Sequence, residues 1–149
     1  MGKDFFLGIM TNNILLICVT SWMAAQILKV AFLLIVERRL DFSRLIESGG
    51  MPSSHSALVS SLFVLCGMRY GWNSIQFTIT FILAMIVMYD ATGVRQAAGK
   101  QAKILNLMMD EIFVQHEWNE VHLKELIGHT PFQVFVGAFL GILIAVLLY

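Results

Sequence analysis

Apolar residues run along this chain in long blocks, not in the alternating pattern of a half-buried strand. A membrane-spanning helix needs about 20 mostly apolar residues, with a tolerance of about 17–25. The blocks at Ile14–Val36, Ala57–Met68, Ile75–Tyr89 and Pro131–Tyr149 meet or approach that length, the second gaining from a helical start at Ser53–Ser56. The second and third read as a helical hairpin turned at Arg69-Tyr70-Gly71-Trp72-Asn73, whose Tyr and Trp suit a membrane interface. Phe5–Met10 is apolar but too short to span, and it lacks the basic start and cleavage site of a signal peptide. Between the third and fourth blocks lies the long polar region Ala91–Gly128. In it Ile104, Leu105, Met108, Met109 and Ile112 recur at helical spacing, opposite Lys100, Lys103, Asp110 and Glu111. This predicts an amphipathic helix lying on the membrane surface or packed on the bundle. The expected fold is all-α: one integral membrane domain over residues 1–149, a bundle of about four spans with an amphipathic helix between spans three and four.

Composition agrees. The chain is 58% hydrophobic and 13% charged, with a mean hydropathy of +0.76. A soluble chain of 149 residues cannot hide that much apolar surface. Lys+Arg and Asp+Glu both number 10, so no net charge draws a polyanion, and no nucleic-acid partner is expected. Cys18 and Cys66 both fall within spans, where a thiol behaves as a small apolar group; neither a disulfide nor a metal site is expected from them.

Tracing four spans places the end of the first, the start of the second, the end of the third and the start of the fourth on one side. The unusual polar residues gather there: Lys29, Arg38, Arg39, Ser53, Ser54, His55, Asp90, Arg95, Lys124 and His129. Lys29 lies about two turns, roughly 10 Å, inside the first span. A charge there is costly unless paired or wetted, so it is either a functional cation or a lysine that snorkels to the headgroups. Gln26 lies on the same helical face. In Gly49-Gly50-Met51-Pro52-Ser53-Ser54-His55-Ser56-Ala57, glycines permit a sharp turn and Ser53 or Ser54 caps a helix. The free N–H groups of such a helix start attract an anion, and His55 in its first turn is placed to give a proton to a leaving oxygen. A capped helix start beside a bystander histidine is the plainer alternative. Thr130, Pro131 and Gln133 read as a capping box with proline at the first helical position, which leaves His129 unexplained at the mouth of the bundle. Such a histidine serves as nucleophile or base when a partner orients it. Asp90 and Arg95 form either a structural pair or a functional couple, Asp90 orienting a histidine or lysine while Arg95 binds an anion. His116 and His122 read as solvated.

The stretches GGMPSSHSA, DATGVR and KELIGHTP, in that order, resemble the superfamily of type 2 phosphatidic acid phosphatases and vanadium-dependent haloperoxidases, and more closely its small divergent bacterial branch. The resemblance covers nearly the whole chain. The superfamily pattern is K-x6-R-P, then P-S-G-H, then S-R-x5-H-x3-D. Carried over by position, Lys29 resembles the first lysine, His55 the general acid and His129 the nucleophile, with Ser53 and Ser54 lining the phosphate cradle. The chain departs from the pattern at several places. Val36 stands seven residues after Lys29, followed by Arg38 and Arg39; Ser54 replaces the glycine before the middle histidine. Leu123 stands six before His129, with Lys124 one place later, and Gln133 takes the position of the orienting aspartate. Asp90 is placed to fill that orienting role from another helix.

The resemblance implies a membrane phosphohydrolase that removes phosphate from a lipid phosphate or diphosphate through a phosphohistidine, without metal or other cofactor. The rival expectation is a non-catalytic lipid-phosphate binder or transporter, which needs the cations and not the histidine pair. The superfamily usually has six spans, so dimerisation to complete the bundle is also expected. Excluding Lys29, seven Lys/Arg lie on the candidate face (Arg38, Arg39, Arg44, Arg95, Lys100, Lys103, Lys124) against Lys3 and Arg69 on the other. By the positive-inside rule the site then faces the cytoplasm, in a bacterial inner membrane.

Overall fold

The computed structural model describes residues 2–37, 50–112, 123 and 128–149. Arg38, Arg39, Arg44, His116, His122 and Lys124 lie outside the described residues. Every regular element among the described residues is a helix: α1 (Gly2–Met10), α2 (Asn13–Glu37), α3 (Ser54–Tyr70), α4 (Ile75–Thr92), α5 (Val94–Ile112) and α6 (Pro131–Leu148). The protein is an all-α membrane bundle. Among the described residues, three stretches are long and apolar enough to cross a membrane: Asn13–Ile35, the run Ile75–Glu111 that α4 opens, and Pro131–Leu148. The remaining bundle helix, α3, is 17 residues long and rich in serine, and α2, α4 and α6 all pack against it. Its place at the centre explains its composition. It meets protein, not lipid, around most of its circumference, so Ser54, Ser56, Ser60 and Ser61 are tolerated in its buried face.

Small residues set how closely α6 approaches α3. Gly137, Gly141 and Ala145 recur every fourth residue on α6 and are all buried. A Cβ added at Gly137 would lie 2.3 Å from the Ser53 carbonyl oxygen, and one at Gly141 2.1 Å from that of Ala57. Only glycine lets the two backbones meet there, the small-xxx-small logic of membrane helix pairs. Ile17, Cys18, Val64, Leu65 and Ala145 form the apolar core cluster, with both cysteines free and buried. The large apolar residues Ile79, Ile82 and Ile86 of α4 and Phe132, Phe135 and Phe139 of α6 point outward, as hydrocarbon-facing positions do.

The hairpin between α3 and α4 turns at Gly71, whose φ of 94° favours glycine, and Ser74 caps α4 by accepting from the Phe77 N–H. Trp72 folds back onto Gly67, where a Cβ would lie 2.4 Å from its ring. At its other end α4 runs almost directly into α5. The Gly93 N–H closes α4 on the Tyr89 carbonyl, and α5 begins at Val94, placing Arg95 in a helical first turn. On α5 the buried residues are Gly99, Ala102 and Asn106, while Ile104, Leu105, Met108 and Met109 are exposed and do not pack on the bundle. Asn106 holds the backbone of Leu123 at both ends of its amide, Nδ2 donating to the carbonyl and Oδ1 accepting from the N–H, each at 2.9 Å.

Candidate functional site

Backbone contacts gather the site before any side chain acts. The Ser53 N–H donates to the Gln133 carbonyl at 3.2 Å, joining the starts of α3 and α6. The His129 N–H donates to the Ala91 carbonyl at 3.0 Å, joining the residue before α6 to the end of α4. Gly50, with a φ of 93°, lies along the Lys29 side chain, and a Cβ there would come within 3.1 Å of Lys29 Cγ. The end of α4 and the starts of α3 and α6 therefore meet on one side of the bundle, with Lys29 of α2 beneath.

Ser53 is the N-cap of α3. Its hydroxyl accepts from the Ser56 N–H at 3.3 Å and from the Ser56 hydroxyl at 2.9 Å. Both serines are fully buried, as is Lys29 at 1% exposure. A buried lysine inside a bundle does not snorkel to the headgroups, so that reading of Lys29 is set aside. His55 is exposed and lines a cavity of about 220 Å³ with His129, Asp90, Arg95, Ile86, Val87 and Ala91. Asp90 meets Arg95 at 2.5 Å between Oδ2 and Nε, so the carboxylate is held by the guanidinium across the α4–α5 junction. Both groups remain more than a third exposed, which makes the pair worth little to stability.

His129 is buried, and Gln133 determines which of its nitrogens is available. Thr130 caps α6 by accepting from the Gln133 N–H at 3.3 Å, and Gln133 Oε1 accepts from the Thr130 N–H at 3.0 Å. A backbone N–H only donates, so the Gln133 oxygen, not its NH₂, faces this point. The same Oε1 lies 3.3 Å from His129 Nδ1. Nδ1 must then carry the hydrogen, and the Nε2 lone pair is left for chemistry. Burial holds the His129 imidazole below its ordinary pKa; the Gln133 hydrogen bond opposes that, and the charges of Lys29, His55 and Arg95 add to the lowering. His129 is therefore neutral at pH 7.

Of the residues singled out in the sequence, Lys29, Ser53, Ser54, His55, Asp90, Arg95 and His129 converge at this end of the bundle, while Arg38, Arg39 and Lys124 lie outside the described residues. The cavity wall of Ile86 and Val87 has no motif to announce it. The glycine stripe that seats Ser53 is legible as Gly137-x3-Gly141 in an apolar segment.

A family model described as the Divergent PAP2 family matches residues 10–144. The uncharacterized membrane protein YuiD of Bacillus subtilis (strain 168) is 39% identical over 151 residues, covering 94% of this chain and 96% of its own. No solved structure matches the chain.

Proposed function

The chain belongs to the Divergent PAP2 family, and on that premise we propose that it is a membrane phosphohydrolase acting on a lipid phosphate or diphosphate. One observation carries the reading: a neutral histidine, His129, with Nε2 left free by Gln133, shares one cavity with His55 and Arg95. In the proposed reaction Nε2 attacks phosphorus and the bond from phosphorus to the lipid oxygen breaks. Partial burial and the Arg95 and Lys29 charges hold the His55 pKa below its ordinary value in the free site, so His55 takes up its proton as the anionic phosphate binds and gives it to that oxygen, which leaves as the alcohol. His55 then takes a proton from water, the resulting hydroxide attacks the phosphohistidine, and inorganic phosphate leaves with His129 and the His55 proton restored. Lys29 and Arg95 offset the phosphate charge, Arg95 exchanging Asp90 for the substrate. The serine-capped start of α3 adds N–H donors to the same anion. Ile86, 60% exposed on the outer side of α4, leaves the cavity wall open towards hydrocarbon, so the lipid enters sideways. The site faces the cytoplasm, and the required partner is a phosphate-bearing membrane lipid.

The test is trapping by an alkaline detergent quench with lipid phosphates carrying labelled phosphorus, on purified protein. The wild type forms an acid-labile, alkali-stable phosphoenzyme. His129→Ala forms none and loses turnover by up to about six orders of magnitude, the scale of removing a nucleophile. Full turnover in His129→Ala sinks the assignment. A second reading, a non-catalytic lipid-phosphate binder or transporter, is favoured by Gln133, since a neutral amide stabilises an imidazolium less than a carboxylate does. Binding without phosphate release across the whole lipid panel supports that reading.

A further inference from the structure

A second, larger cavity of about 680 Å³ lies at the opposite end of the bundle, where the α1–α2 turn meets the ends of α3 and α6. Its rim is polar, from Thr11, Asn12, Asn13, Arg69 and Tyr70. Ile17, buried in the apolar core, and Ile14, packed against that core, line it from the inner side, while Leu148 is exposed. Among the described residues lining it, no side chain is acidic. Arg69 makes no ion pair with another described residue, Tyr149 at its edge included. Asn12 caps α2 through a 3.1 Å bond from the Leu15 N–H, so the positive end of a 25-residue helix adds to the field on this rim. Tyr70 and Trp72 mark the depth of the membrane interface. A cation beside an apolar inner wall at headgroup depth matches a phosphate joined to a diacylglycerol better than it matches a free ion, which has no use for the wall.

We propose that this far cavity holds the phosphate of an anionic phospholipid, with Arg69 as its cation and the glycerol end resting on Ile14 and Ile17. The site is separate from the one at His129. The 17 residues of α3 set the two about 25 Å apart. The lipid is a resident, not a substrate, since His55 and His129, the histidines among the described residues, line the other cavity.

Trp72, exposed in the turn just beyond Tyr70, is a built-in reporter. In a Trp22→Phe, Trp118→Phe background, Trp72 fluorescence is read in vesicles containing brominated phosphatidylglycerol or brominated phosphatidylcholine. One exposed cation on its own enriches an anionic lipid roughly five-fold. The wild-type preference for the brominated anionic lipid exceeds that level. Arg69→Gln abolishes it and Arg69→Lys retains most of it. Thr11→Phe, which fills the cavity and leaves the charge, reduces it to the single-cation level. Equal quenching by the two lipids, or a Thr11→Phe variant that behaves as wild type, overturns the site. Loss of the preference on adding millimolar inorganic phosphate overturns the lipid as its occupant. Helix content by circular dichroism confirms that each variant is folded.

Discussion

Gln133 shows how one side chain serves both folding and chemistry. Its oxygen closes the capping box of α6 and fixes the His129 tautomer at once. Gln133→Glu separates the two roles, because glutamate at the third helical position also completes a capping box. The fold is kept while a carboxylate replaces the amide at Nδ1. A negative charge there favours the protonated ring and so raises the His129 pKa from its lowered position. A nucleophilic His129 is active above its pKa and inactive once protonated. The acid limb of the pH–rate profile therefore moves to higher pH in Gln133→Glu, by roughly one pH unit. Titration of the labelled imidazole by NMR reads the same shift without depending on turnover. An unmoved titration curve removes Gln133 from the role of positioning residue.

Between elements, the narrowest contact is that of α6 with α3. Overpacking a close-packed contact costs about 1–3 kcal/mol. Gly141→Ala drives a Cβ into the Ala57 carbonyl, one helical turn beyond Ser53 and at a residue that does not itself line the cavity. It lowers the midpoint of thermal unfolding in detergent by that scale of energy and leaves phosphate binding near wild type in the folded protein. Gly137→Ala drives a Cβ into Ser53, the cap at the site itself, and so costs stability and also weakens phosphate binding. Gly8→Ala, with nothing within 4 Å of the added Cβ, is the control and changes neither. A Gly137→Ala protein that unfolds early yet binds phosphate normally would show that Ser53 does not belong to the cradle.

At the scale of the whole molecule, the bundle has two unlike ends. One gathers His55, His129, Lys29 and Arg95; the other carries Arg69 over its own cavity. The excess of cations near the histidines supports the proposal that this end faces the cytoplasm. Both native cysteines are buried, so introduced cysteines label without background. Lys103→Cys on α5 reacts with a membrane-impermeant maleimide in inside-out vesicles and is protected in right-side-out ones. Asn73→Cys, in the α3–α4 turn, shows the reverse. The opposite pattern puts the site on the outer face.

The amino-acid order alone determined the class of fold and named most of the residues of the candidate site. Spans are legible because lipid demands long apolar runs, caps because helix ends must satisfy their N–H groups, and the histidines because polar residues near a span have few other reasons to exist. Several other features were settled only by the tertiary structure. The apolar length rule finds α3 short and does not place it at the centre of the bundle, where a helix sheltered by three others need not be apolar all round. No sequence spacing joins Asp90 to Arg95 in preference to a histidine, or opens the cavity beside Ile86. No local pattern brings the Ser53 N–H to Gln133, or the His129 N–H to Ala91, across 80 or 38 positions of the chain. Those contacts depend on how closely α6 can approach α3, and that distance exists only once the helices are packed.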